Sequence, residues 1–159
     1  MSSSVRVALS VSLLFLLLAP FARAADDSVA TRLEARGIHY EIDEDGDYKV
    51  TYSYAEEQRT QLVFVSGGTE SVGEFHVREV FAPAARLEAD GITGEVALQL
   101  LSDNRTSKLG AWEVAGDILY FVIKLPDDID AARLEIAMDV AAQVADDAEK
   151  RFSGDRDEL

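Results

Sequence analysis

Apolar and polar positions along this chain change period several times, and each change marks an element. In DDSVATRLEARG, 26–37, Val29 and Leu33 stand one turn apart between an acidic start and Gly37, which predicts a short amphipathic helix. In the next stretch, 38–55, Tyr48, Val50, Tyr52 and Tyr54 alternate with Lys49, Thr51 and Ser53. Two strands around an Asp45-Gly46 turn follow from that pattern. QLVFV, 61–65, predicts a third strand closed by Gly67-Gly68, and GEFHVREVF, 73–81, a fourth that Pro83 ends. Residues 84–91 read as a loop or single turn.

Helical spacing returns at 95–104, where Val96, Ala97, Leu100 and Leu101 form one stripe and Thr93 is the expected N-cap. AWEVA and ILYFVIKL then predict a hairpin turning at Gly116-Asp117, with 118–125 apolar on both faces and therefore central. Pro126-Asp127-Asp128 stops that strand and caps a long helix to about Phe152. Its core stripe is expected at Ile129, Ile136, Val140 and Val144, with Asp139, Asp146, Asp147 and Glu149 facing water. The order is α-β-β-β-β-α-β-β-α. Strands grouped apart from helices make this an α+β domain, an antiparallel sheet with helices packed on it.

The first 24 residues stand apart from that domain. Arg6, the apolar run 7–18, Pro20 and Ala22-Arg23-Ala24 have the layout of a cleaved export signal, and the run is short for a spanning helix. Residues 25–159 are then the mature single domain, and the expected location is periplasmic or secreted. The chain carries 15 basic and 30 acidic residues, a net charge of −15. Removing 1–24, with two of the basic residues and no acid, leaves −17 over 135 residues. Such a charge disfavours nucleic acid and anionic membrane surfaces, which attract basic patches. With no cysteine, disulfides, thiolate metal sites and cysteine nucleophiles drop out together.

Candidate chemistry is sparse. Glu41, Asp43, Asp45, Gly46 and Asp47 imitate the first half of a calcium loop, but the twelfth position from Glu41 is Tyr52, not a bidentate glutamate. An acidic hairpin turn is the simpler reading. His39 and His76 are the only imidazoles and would need a carboxylate to make a metal site. Ser66-Gly67-Gly68 fits neither a nucleophile elbow nor a phosphate loop. Tyr48, Tyr52 and Tyr54 make either a partner-binding row or a row packed beneath a helix. No catalytic, cofactor or metal residue is assigned. Asn104-Arg105-Thr106 is a glycosylation sequon, and Arg156-Asp157-Glu158-Leu159 is close to a lumenal retention address.

LLSDNRTSKLGAWEVAGDILYFVIKLP, followed by a helix ending VAAQVADDAEKRF, resembles the bacterial YbjN family. There a leucine-rich helix ending in Asn leads to a hairpin and a long C-terminal helix with Ala-Asp near its end. The matching positions are Leu100, Leu101, Asn104, Ala145 and Asp146. LEARGIHYEIDEDGDYKVTY is similar to the family's opening helix and Asp-Gly hairpin, so the resemblance covers most of 30–152. It implies a fold like that of type III secretion chaperones, often dimeric and used to bind proteins, a label of sensory-transduction regulator, and no catalytic residues. An export signal departs from that pattern, and a bacterial setting lowers the retention reading of the C-terminus. The expected function is therefore a non-enzymatic, exported protein-binding domain of adaptor or chaperone type with an unidentified protein partner, a homodimer being implied by the family. The alternatives are a small-ligand or cation-binding module using the acidic turn at 41–47, and an enzyme whose carboxylates, such as Glu113 and Asp127, are brought together by folding. Within this scheme Leu100, Leu101, Trp112, Leu119, Phe121 and Ile123 are expected to build core.

Overall fold

A computed structural model describes residues 27–154 and residue 156. Residues 1–24, expected from sequence to be an export signal, lie outside them, as does all of the C-terminal tetrapeptide except Arg156. The chain is α+β: the described residues form a seven-stranded antiparallel sheet and three helices. The elements are α1 (Asp27–Ala35), β1 (Glu41–Ile42), β2 (Tyr48–Tyr54), β3 (Arg59–Val65), β4 (Glu70–Val72) and β5 (Phe75–Arg86). Then come α2 (Gly94–Asn104), β6 (Ala111–Ala115), β7 (Ile118–Pro126) and α3 (Ala131–Ser153). Strand order is β1-β2-β3-β5-β7-β6, with β4 paired to the free arm of β5.

Strand β5 departs most from the sequence pattern. Residues 70–77 form a further hairpin, adding β4 to the six strands expected, and β5 continues through Pro83 to Arg86. Pro83 does not end it, for a reason visible in the ladder. Ser66 N–H donates to the Glu79 carbonyl (2.9 Å) and Asp127 N–H to the His76 carbonyl (2.8 Å). By alternation, residues 79, 81 and 83 point their backbone groups toward β3, and residues 78, 80 and 82 toward β7. β3 pairs with β5 only at Phe64↔Phe81 and Val65↔Val80, so no ladder bond is asked of the missing Pro83 N–H. Its carbonyl instead accepts from the buried Gln61 Nε2 (2.9 Å), and a bulge at Pro83–Ala85 resets the register with β7.

The long helix also starts and turns differently. Asp130, not Asp127 or Asp128, is the N-cap, its Oδ1 accepting from Arg133 N–H (2.8 Å). The buried stripe of α3 is Leu134, Ala137, Met138, Ala141, Ala142, Ala145 and Ala148. Alanines carry the seam, which rotates Ile136 outward (56% exposed) and brings Asp146 and Glu149 fully inside. Asp139 and Asp147 are exposed, as the spacing predicts. Thr93 stands at the N-cap position of α2 but its side chain makes no capping bond. Leu100 is buried there while Leu101 is 62% exposed, so Leu101 is not core.

The core lies between the sheet and its helices. Inward residues Tyr48, Val50, Val63, Val65, Val80, Phe121 and Ile123 pack with Val29 and Leu33 of α1 and the alanine seam of α3. Beside it, Ala85, Leu100 and Leu119 form a smaller cluster under α2. Trp112 contacts both clusters and meets Phe121 edge-on at 5.1 Å.

Candidate functional site

Alternation along the strands assigns Thr51, Leu62, Phe64, Val77, Phe81, Tyr120 and Val122 to the opposite face of the sheet. None belongs to either helix-covered cluster. On this face Phe64 stacks on Phe81 (centroids 5.2 Å, planes 8° apart), and Phe81 meets Tyr120 edge-on at 5.9 Å. An aromatic row therefore crosses β3, β5 and β7. Glu79 and Glu113 flank it, both salt-bridged to Lys124 at 3.6 and 2.6 Å. Those acidic neighbours raise the Lys124 pKa, the hydrogen bond to Glu113 most strongly. Val122, opposite Phe81 on β5 and Ala111 on β6, is buried there although no described helix covers it. The same face runs out along the β4–β5 arm to Val72 and Phe75, 65% and 70% exposed.

The residues singled out from sequence do not converge. Within 41–47, Asp43 Oδ1 accepts from the N–H groups of Asp45 (3.0 Å) and Asp47 (2.9 Å), and Asp47 Oδ1 from Gly67 N–H (2.7 Å). Glu41 pairs with Lys49 at 2.7 Å, which lowers its pKa. These carboxylates build a turn and fasten it to the 66–68 loop. Among the described residues no three His, Cys, Asp or Glu gather as a metal set. His76 shares a hydrogen bond with Ser71 Oγ (3.2 Å) and lines a 250 Å³ cavity with Phe75 and Asp128. His39 lines a different one, beside Thr51, Ser53, Glu135 and Asp139. Ser66-Gly67-Gly68 is a plain turn whose Ser66 and Gly68 carbonyls accept from Arg78.

The tyrosine row faces the helices. Tyr48 is buried, Tyr52 donates to Asp139 (2.9 Å), and Lys150 stands 5.8 Å over the Tyr54 ring. Burial, and then the Asp139 carboxylate, push the Tyr52 pKa up. Asp127 is clasped by Arg78 (2.6 Å) and Arg32 (3.0 Å), while Glu113 lies in the Lys124 group, so the two carboxylates have separate partners. Asn104 is held in place by β6, its Oδ1 accepting from Trp112 N–H (2.7 Å) and its Nδ2 donating to the Trp112 carbonyl (3.4 Å). In the β6–β7 hairpin, Ala111, Glu113 and Ala115 bond to β7, so Trp112 and Val114 present their backbone groups outward. The Asn104 amide thus stands in for one residue of a neighbouring strand and closes part of an edge.

Sequence reasoning passed over the aromatic row. The signal was present in Leu62, Phe64, Phe81 and Tyr120, each out of step with the inward residues of its strand, but only pairing across three strands makes them neighbours. Among the described residues no helix is long and apolar enough to cross a membrane. The chain matches no model of a known protein family, and no curated protein matches its sequence.

Proposed function

We propose that this chain is an exported, non-enzymatic protein-binding domain, an adaptor or chaperone-like module of the YbjN kind acting in the bacterial periplasm. The observation that carries the reading is the sheet face that no described helix covers, with its Phe64–Phe81–Tyr120 row and the exposed Val72 and Phe75 on the same side. Exposed apolar surface rimmed by polar groups is the usual mark of a protein interaction site. The α+β layout, with the described helices all on the other face, is compatible with the secretion-chaperone type that the resemblance implies. The candidate carboxylates Glu113 and Asp127 support no acid–base pair, since each has a structural partner.

The test is capture of proteins from native envelope extract on tagged protein, comparing the natural sequence with Phe81→Lys. A stoichiometric partner retained by the first and lost by the second, with both folded by circular dichroism, is the expected result. Equal capture by the two proteins would remove this face from the function.

A further inference from the structure

We infer that the open edge of β2 takes up an extended, basic segment of another polypeptide, which adds a strand to the sheet in the line of β1. This surface lies on a different part of the sheet from the aromatic row and does not depend on it. Alternation gives the edge its polarity. Asp43 N–H donates to the Asp47 carbonyl (3.0 Å), so residues 47, 49, 51 and 53 aim their backbone groups toward β1, and 48, 50, 52 and 54 toward β3. β1 reaches only Tyr48 and Lys49. Thr51 and Ser53 are therefore exposed with an N–H and a carbonyl each turned outward, and no described strand pairs with them there. The fold holds this edge open. α1 ends at Gly37 (φ 69°) with Ile38 N–H bonded back to the Leu33 carbonyl (3.0 Å), so residues 38–40 follow the helix and not β2. Sheet edges are ordinarily blunted by charge, proline, a bulge or a cover. Thr51-Tyr52-Ser53-Tyr54 has no charge or proline and keeps unbroken register with β3, whereas the opposite edge at Trp112 is met by Asn104.

Beside the bare edge is a 350 Å³ slot between residues 38–39, β2 and α3. Ile38 and Tyr52 give it an apolar wall, Glu135 and Asp139 an acidic one, and His39 is the remaining titratable group on it. Most charges around the slot are paired: Glu135 with Arg36 (2.5 Å), Glu41 with Lys49 (2.7 Å), and Glu57 with Lys150 (2.5 Å) past the far end of β2. Glu34 and Asp139 differ. Each accepts from a tyrosine hydroxyl, Tyr40 at 3.3 Å and Tyr52 at 2.9 Å, and neither has an ion-pair partner among the described residues. A lysine or arginine on the incoming strand completes this arrangement. The strand's main chain takes the Thr51 and Ser53 groups, the basic side chain lays its stem on Ile38 and Tyr52, and its cation meets Asp139. An acidic segment meets repulsion instead. A second copy of the chain is disfavoured on the same ground. Pairing two β2 edges across a two-fold axis sets both Asp139 carboxylates on one side of the joined sheet, in chains of net charge −15.

Fluorescence anisotropy on the purified protein tests this, with a short labelled peptide in which threonine and valine alternate around a central arginine. Saturable binding is expected, with the Thr51 and Ser53 amides shifting and gaining exchange protection in nuclear magnetic resonance spectra. N-methylating alternate amides of the peptide should abolish binding, because strand addition rests on main-chain bonds. Ser53→Pro should do the same, since its N–H serves no bond among the described residues and proline is tolerated at a sheet edge. Asp139→Asn should weaken the arginine peptide about fivefold at moderate salt and leave a glutamine version of the peptide unaffected. Phe81→Lys should bind as the natural protein does. No saturable binding of the arginine peptide up to millimolar concentration overturns the inference, as does binding that survives N-methylation or that prefers a glutamate version. Self-association of the natural protein that Ser53→Pro abolishes overturns the choice of occupant.

Discussion

Replacing Asp127 by asparagine should loosen three parts of the fold together. Its Oδ1 accepts from Arg78 Nε at 2.6 Å and Arg32 Nη2 at 3.0 Å, while its carbonyl accepts from Arg32 Nη1 at 2.9 Å. The Arg78 side chain is 2% exposed and that of Arg32 11%, so neither guanidinium has water to fall back on. Arg78 keeps the Ser66 and Gly68 carbonyls, and Arg32 keeps Ser28 and the Ile129 carbonyl. Asparagine preserves shape and one acceptor but removes the charge. Charge-assisted bonds of this kind contribute about 1.5–3 kcal/mol each, and part of each survives. The expected loss is therefore about 2–3 kcal/mol at pH 7, which lowers the melting temperature by roughly 10 °C for a domain of this size. Burial raises the Asp127 pKa, but the bonds from Arg78 and Arg32 outweigh it and leave the pKa below its ordinary value of 3.8. A carboxylate with a depressed folded-state pKa stabilises fully above its unfolded value and loses that contribution as pH falls through the folded one. Urea unfolding should show a constant gap between the two proteins from pH 7 to about 4, narrowing below that as the natural carboxylate protonates. A gap under about 0.5 kcal/mol at pH 7, or one that persists unchanged in strong acid, would refute the clasp.

Two further outcomes follow from the core and the turns. Arg59, with its side chain 8% exposed, holds the buried Asp146 and Glu149 at 3.3 and 2.8 Å, so Arg59→Met should cost about 3–5 kcal/mol by leaving buried carboxylates short of countercharge. Lys150, 2.7 Å from Asp146, offsets only part of this. Adding Glu149→Gln should cost less than the separate losses predict, and strict additivity in denaturant melts would show that the groups are not coupled. Gly67→Ala should cost about 1–3 kcal/mol, since a Cβ there would lie 1.9 Å from the Gly46 carbonyl oxygen. Gly94→Ala, where a Cβ meets nothing, should be neutral or slightly stabilising in the same thermal assay.

The parts of this fold that sequence made legible are those written in local period. The Asp45-Gly46 and Gly116-Asp117 hairpins, the apolar strand at 118–125, which lies inside the sheet although next to its β6 edge, and the three described helices all follow from spacing over ten residues or fewer. What was hidden depends on partners far along the chain. Pro83 could continue a strand only because β3 had already splayed away from β5, and nothing near Pro83 announces that. Likewise, Asp146 and Glu149 look like a solvated helix face until Arg59, almost ninety residues earlier, is brought beneath them. The alanine seam misleads for a different reason. Small residues carry little periodic signal, so the larger Ile136 points a sequence reading to the wrong side of the helix.

That seam also bears on what the opposite face is for. On β5 the inward residues after Val80 are Ala82, Ala84 and Ala85, and α3 meets the sheet with Ala137, Ala141, Ala142 and Ala145. Alanine against alanine lets the helix approach closely, but buries little apolar area per residue. The same strand carries Phe81 and Pro83 on its other face, and β3 puts Val63 inward but Phe64 outward. Fully burying a phenylalanine contributes about 1.5–3 kcal/mol more than leaving it in water. A sheet relying on its own helices alone would gain by carrying its largest side chains beneath them. Here Phe64 and Phe81 stand on the side that no described helix covers, stacked on each other and only half-buried. The contribution they withhold from the isolated chain is recovered when something covers that face, which is the condition that a binding surface meets.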